Sequence, residues 1–124
     1  MTIFGGGTGK CVTRLNRDAI IFNKRLNSAA HELRTTLNIT LVFFDIFTPL
    51  YKLSSRPENQ GFGEARKSCC VTGQGPTPFS CDVDLWACLN VTKYVFWDGV
   101  HPTQAANQIL AADLIAAGLP LISN

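Results

Sequence analysis

Thr40-Leu41-Val42-Phe43-Phe44-Asp45-Ile46-Phe47 is apolar at nearly every position. Alternation is absent, so both faces of the segment need cover, which predicts a parallel strand inside an α/β sheet. Upstream, Leu15, Ala19, Phe22, Leu26, Ala29, Leu33 and Leu37 recur at intervals of three and four. That spacing predicts an amphipathic helix of about five turns with one apolar stripe to bury. Downstream, Thr48-Pro49 offers an N-cap and a proline at the first helical position. Leu50, Tyr51 and Leu53 then predict a short helix that Arg56-Pro57 stops. The order helix, strand, helix places the chain in the α/β class.

Further along, Glu58 to Lys93 has little periodicity and much Gly, Pro, Ser and Cys. It predicts a long surface excursion held by disulfides rather than by a core. Lys93 to Trp97 is a short β-prone run, and Asp98 to Pro102 is a loop. Thr103 opens a last helix through Ile109, Leu110, Leu114 and Ile115 to Gly118, with Pro120 just beyond. Residues 1–12 are Gly-rich and predict a loop. Neither repeats nor a dividing linker occur, so residues 1–124 read as one unit.

Composition narrows the function. The chain is 46% hydrophobic and 16% charged, the profile of a sequence that buries a core. Its net charge is +2, and its Lys and Arg residues are scattered without a run that could form a phosphate-binding stripe, which argues against nucleic acid as a partner. No apolar run approaches the ~20 residues of a transmembrane segment, and Met1-Thr-Ile-Phe-Gly-Gly-Gly7 lacks the apolar core of a secretory signal. The cysteines point the other way. Five are present (Cys11, Cys69, Cys70, Cys81 and Cys88), and four of them crowd into one short stretch, which suits an oxidising compartment. The odd count leaves one thiol over, and the spacing leaves the pairing open. Asn38-Ile-Thr40 and Asn90-Val-Thr92 are candidate glycosylation sites and point to the same compartment. A lost N-terminus would reconcile secretory cysteines with the missing leader.

The chemistry-bearing stretch is Trp97-Asp98-Gly99-Val100-His101-Pro102, a carboxylate and an imidazole separated by two residues in a loop that feeds a helix. Serine-dependent ester hydrolysis needs a base within hydrogen-bond reach of the hydroxyl and a carboxylate that fixes the base's tautomer. In that reading His101 is the base and Asp98 its orienter. The following helix would favour the neutral ring and Asp98 the charged one. The bland reading, in which Asp98 caps a turn and His101 packs at a helix start, has the same spacing.

Tyr94-Val-Phe-Trp-Asp-Gly-Val-His-Pro-Thr103 resembles the last sequence block of the SGNH/GDSL hydrolase superfamily in its plant-type form. Cys11, Asn16, Phe22-Asn23, Leu41 to Asp45, Pro49-Leu50, Gly61-Phe62, Cys69 to Gly73, Cys81 and Cys88 resemble further landmarks of plant-type GDSL esterases and lipases in the same order. The likeness runs from about residue 11 to residue 117. It implies that the chain is a C-terminal fragment of a flavodoxin-like three-layer α/β/α SGNH hydrolase fold. It also implies secreted hydrolases of lipid or other small acyl esters that use no cofactor, with Asp98 and His101 as the catalytic acid and base. Departures matter too. The family's Gly-Asp-Ser nucleophile block and its oxyanion glycine and asparagine blocks have no counterpart in these 124 residues. Ser28, Ser54, Ser55, Ser68, Ser80 and Ser123 lack the glycine-flanked turn that would expose a nucleophile. The expectation is an incomplete hydrolase, inactive by itself because nucleophile and oxyanion hole are missing together. A truncated, non-catalytic secreted binding or interaction module is the alternative.

Other motifs carry less. Gly5-Gly-Gly-Thr-Gly-Lys10 has Phe4 and Cys11 where a phosphate-binding loop needs Gly and Ser/Thr. The cysteines lack the knuckle spacing of a zinc site, so no metal is expected. His31, beside the apolar stripe of the first helix, is assigned no role.

Overall fold

The computed structural model describes residues 12–70, 81 and 87–122. The Gly-rich stretch with Cys11, as well as Ser80 and Ser123, lies outside them. Helix α1 is Thr13–Leu37, α2 is Phe47–Ser55, strand β1 is Glu64–Ser68, β2 is Tyr94–Phe96 and α3 is Gln104–Gly118. Short 3-10 turns cover Pro57–Gln60, Val91–Lys93 and Leu119–Leu121. The architecture is mixed α/β around a two-stranded parallel sheet.

Helix α1 forms where the periodicity places it and ends at Asn38, whose left-handed backbone (φ 51°) lets its N–H return to the Arg34 carbonyl. None of its residues is buried. Leu15, Phe22, Leu26, Leu33 and Leu37 of the predicted stripe are exposed, and the half-covered positions are Asn16, Ala19, Asn23 and Ala30.

Two expectations fail immediately after it. The segment predicted as a buried parallel strand, residues 40–47, carries no strand pairing: residues 39–46 have no regular structure and Phe47 already belongs to α2. A strand exists only through a neighbour's hydrogen bonds, and β1 and β2 pair with each other instead. Nor does Thr48 cap α2. The helix starts two residues earlier, at Phe47, and the Asp45 carboxylate does the capping by accepting from the Thr48 N–H at 3.1 Å. Pro49 therefore sits in the first turn, where its missing N–H costs nothing. Arg56 ends α2 as expected.

The predicted excursion from Glu58 is more structured than its composition suggests. Gly61 takes φ 82°, a conformation that glycine reaches freely, and the next residue, Phe62, enters the core. Strand β1 then runs parallel to β2, with Glu64 opposite Tyr94, Ser68 opposite Phe96 and an irregularity between. The Glu64 carboxylate accounts for the irregularity by accepting from the N–H groups of Arg66 and Lys67 at 2.7 and 3.2 Å. With only Ala65 turned toward the core, Glu-Ala-Arg-Lys-Ser lacks the apolar signature by which a strand is recognised in sequence.

Leu53, Phe62, Val95, Phe96, Ala106 and Leu110 form the buried cluster, flanked by Leu50, Ala65, Ala105 and Ile109. It joins α2, the sheet and α3, and so includes the two elements that flank residues 97–103 in the chain. No helix among the described residues is long and apolar enough to cross a membrane.

Candidate active site

The loop between β2 and α3 is closed on itself. The Trp97 N–H donates to the His101 carbonyl at 2.8 Å and the Thr103 N–H to the Val95 carbonyl at 2.9 Å, which makes Phe96 and Pro102 an antiparallel bridge. At its far side Thr103 caps α3: its hydroxyl donates to the Tyr94 carbonyl at 2.8 Å and accepts from the Ala106 N–H at 3.2 Å. Thr103 is buried, so both bonds are shielded from water.

Asp98 lies at the centre of this loop and is 4% exposed. Its Oδ1 accepts from the N–H groups of Val100 at 2.9 Å and His101 at 2.7 Å, while Oδ2 lies 2.7 Å from Nδ1 of His101. Burial pushes the Asp98 carboxyl up, but the two backbone donors and the imidazole outweigh it and hold the group below its ordinary value. It is therefore an anion and can only accept. The proton of the Asp98–His101 bond belongs on Nδ1, which leaves Nε2 as the acceptor. The His101 side chain is 67% exposed and so is open to a hydroxyl brought from outside. A buried, orienting carboxylate under an open imidazole has the chemistry of the acid–base half of a hydrolytic triad.

What holds the loop from below is not evident in sequence. Cys69 and Cys70 are both fully buried, and their N–H groups donate to the carbonyls of Phe96 at 2.9 Å and Trp97 at 2.7 Å. Cys69 is bonded to Cys88 and Cys70 to Cys81, which fixes the pairing that spacing left open. The Cys88 N–H returns to the Cys69 carbonyl at 2.8 Å. The cysteines were legible as disulfide partners; their place under the Asp98–His101 loop was not, because sequence contains no signal for which backbone they would pair with.

The serine hydroxyls among the described residues are engaged elsewhere. Ser28 donates to the Lys24 carbonyl, Ser54 to Leu50, Ser55 to Lys52 and Ser68 to Cys70. Among the described residues no serine is bonded to His101, and no group of three His, Cys, Asp or Glu side chains could hold a metal ion. Of the glycosylation candidates, Asn38 caps α1 through its backbone, and Asn90 caps the 3-10 turn before β2 through its side chain.

Residues 1–114 match the family described as GDSL-like Lipase/Acylhydrolase. The chain is 48% identical to GDSL esterase/lipase At5g22810 of Arabidopsis thaliana over 99% of its own length and 34% of the relative's. It is 46% identical to GDSL esterase/lipase At5g03810 of the same plant over 99% of this chain and 36% of that protein. With GDSL esterase/lipase APG, also from Arabidopsis thaliana, identity is 48% over 98% of this chain and 35% of that protein. No solved structure matches. The chain belongs to the GDSL-like lipase/acylhydrolase family, and it spans about a third of the length of these curated relatives.

Proposed function

We propose that the protein acts in carboxylic ester hydrolysis, on lipid or other acyl esters outside the cell, and that residues 1–124 supply the acid–base part of its site. The observation that carries this is the 2.7 Å contact between Asp98 Oδ2 and His101 Nδ1, with the carboxylate buried and the ring open. His101 Nε2 takes the proton of a serine hydroxyl as the oxygen attacks the ester carbonyl. The same proton passes to the departing alcohol, and water then releases the acid by the reverse relay. Asp98 holds the tautomer and stabilises the imidazolium without taking the proton. Nucleophile and oxyanion donors come from a part of the family fold beyond these residues, a flavodoxin-like α/β/α sandwich of which this chain forms one partial domain.

A fusion tests the reading: residues 1–124 joined behind the portion of the Arabidopsis relative At5g22810 that they do not match, assayed with a short acyl nitrophenyl ester. Activity that depends on His101 and on a serine of the added portion is expected, with none from residues 1–124 alone. A folded fusion without turnover would sink the ester-hydrolase assignment, and turnover by the chain alone would sink the division of the site. The uncovered apolar face of α1 favours a second reading, a non-catalytic secreted interaction module; an inactive fusion would leave that reading standing.

A further inference from the structure

We propose that Asn90, and not Asn38, is the N-glycan acceptor of this protein, and that the glycan shields the apolar surface around it. The inference rests on the secretory reading above.

The two candidate triplets differ in what their side chains do. At Asn90 the side-chain carbonyl accepts from the Thr92 hydroxyl at 2.7 Å and from the Thr92 N–H at 3.2 Å. The second and third residues of the triplet are thereby folded around the acceptor amide. Both bonds span two residues, so a chain segment makes them before any tertiary structure exists. The threonine hydroxyl polarises the amide carbonyl, and the amide nitrogen stays free on an exposed residue. Asn38 is placed differently. It ends a 25-residue helix with its backbone in the left-handed region and its N–H held by Arg34, and no hydrogen bond joins it to Thr40 among the described residues. Helices form within about a microsecond, so the acceptor residue of this triplet is held by its backbone in a helix end that must unwind before an enzyme can thread it.

The transfer is balanced without a redox partner. The Asn90 amide nitrogen attacks the anomeric carbon of a lipid-pyrophosphate-linked oligosaccharide and forms the N–C1 bond. The C1–O bond to phosphate breaks, the lipid pyrophosphate leaves with that electron pair, and the nitrogen loses one proton.

The surroundings give the glycan a task. Leu89, immediately before the acceptor, is 109% exposed, and Val91 after it is also exposed. Two open aliphatic side chains, one just before the acceptor and one opening the 3-10 turn, form a small sticky patch. A groove beside it, lined by Val91, Thr92, Gln104 and Gln108 among others, offers amide and hydroxyl groups to sugar hydroxyls along the start of α3.

The test is secretion from yeast, behind a supplied leader, of the fusion with the Arabidopsis portion described above, as the natural sequence and as Asn90→Gln, Thr92→Ala and Asn38→Gln, with occupancy read at positions 38 and 90 only. Trimming the glycans to one N-acetylglucosamine and mapping peptides by mass reads the occupancy. One glycan on Asn90 is expected in the natural sequence and in Asn38→Gln, and none in the other two. Asn90→Gln should also elute with a larger aggregated fraction. A glycan on Asn38, an empty Asn90, or equal aggregation of glycosylated and bare protein would overturn the proposal. Because the leader is supplied, an empty Asn90 counts against this inference alone; where the native protein resides is read separately by fractionating its source tissue.

Discussion

The backbone N–H of Cys70 donates to the carbonyl of Trp97 across 2.7 Å, so the residue next to Asp98 hangs from a disulfide-bonded segment. Together with the Cys69–Phe96 bond beside it, this contact continues the β1–β2 pairing beyond the strands and up to the Asp98–His101 loop. Disulfide chemistry and the position of the imidazole are therefore linked.

Reduction tests that link. The two bonds close loops of 19 and 11 residues, and each is worth about 3 kcal/mol by loop entropy. Thiol titration of the denatured, unreduced protein should return one free group per chain. After reduction the amides of Cys70 and Trp97 should lose protection in hydrogen exchange together. Four or five free thiols without prior reduction would contradict the disulfide framework.

Two substitutions at Asp98 should behave differently. Asp98→Asn keeps an oxygen for the Val100 and His101 amides but turns an amino group toward Nδ1, which forces the ring proton onto Nε2 and removes the base. Ester turnover in the fusion should fall on the order of 10³–10⁴-fold with little change in stability. Asp98→Ala should lose comparable activity and also cost about 1–3 kcal/mol, since the donors around it lose their acceptor. Steady-state kinetics beside denaturant melts separates the two effects; equal destabilisation by both variants would show that the carboxylate's charge, rather than its acceptor geometry, holds the loop.

Acid should open the loop at a defined place. The folded loop holds the Asp98 carboxyl below its ordinary value, so it prefers the anion. That contribution is whole above the unfolded pKa of about 4 and disappears as pH falls through the lower folded value. Exchange of the Val100 and His101 amides should be slow at about pH 5 and accelerate below about pH 4, with the dependence gone in Asp98→Asn. Opening well above pH 5 would contradict the direction of the shift.

Thr103 should tolerate serine and reject valine. Valine fills the space but abandons the Tyr94 carbonyl and the Ala106 N–H inside a buried site, at a cost of about 1–2 kcal/mol. Thr103→Ser keeps both bonds. Melting temperatures of the fusion protein read the difference, and equal losses for the two variants would assign the role to packing alone.

Expressed alone, residues 1–124 should lack a cooperative thermal transition and should bind hydrophobic dyes. Ile20, Phe22, Leu33 and Leu37 of α1 stay exposed, and the buried cluster draws on α2, β2 and α3 without it. At roughly 25 cal/mol per Å² of apolar surface, several uncovered large side chains forfeit several kcal/mol of a typical stability of about 5–15 kcal/mol. A sharp transition from a soluble monomer at micromolar concentration would show that this face is not a liability.

What the sequence determined by itself is what neighbours within about four residues decide. The apolar spacing of Leu15 to Leu37 specifies α1, Arg56-Pro57 ends α2, Thr103 starts α3, and Asp98 and His101 are close enough along the chain to meet through one turn. The tertiary structure alone decided everything that depends on a distant partner. Residues 40–47 have strand composition but no pairing, because a strand's hydrogen bonds belong to its neighbours; Glu64–Ser68 has no strand composition and pairs, because β2 lies alongside. Which cysteines join, and that Cys70 supports the residue before Asp98, follow from where the crossover returns the chain. Loop closure over such separations depends on all the contacts that repay its entropy, and no short stretch of residues contains that sum.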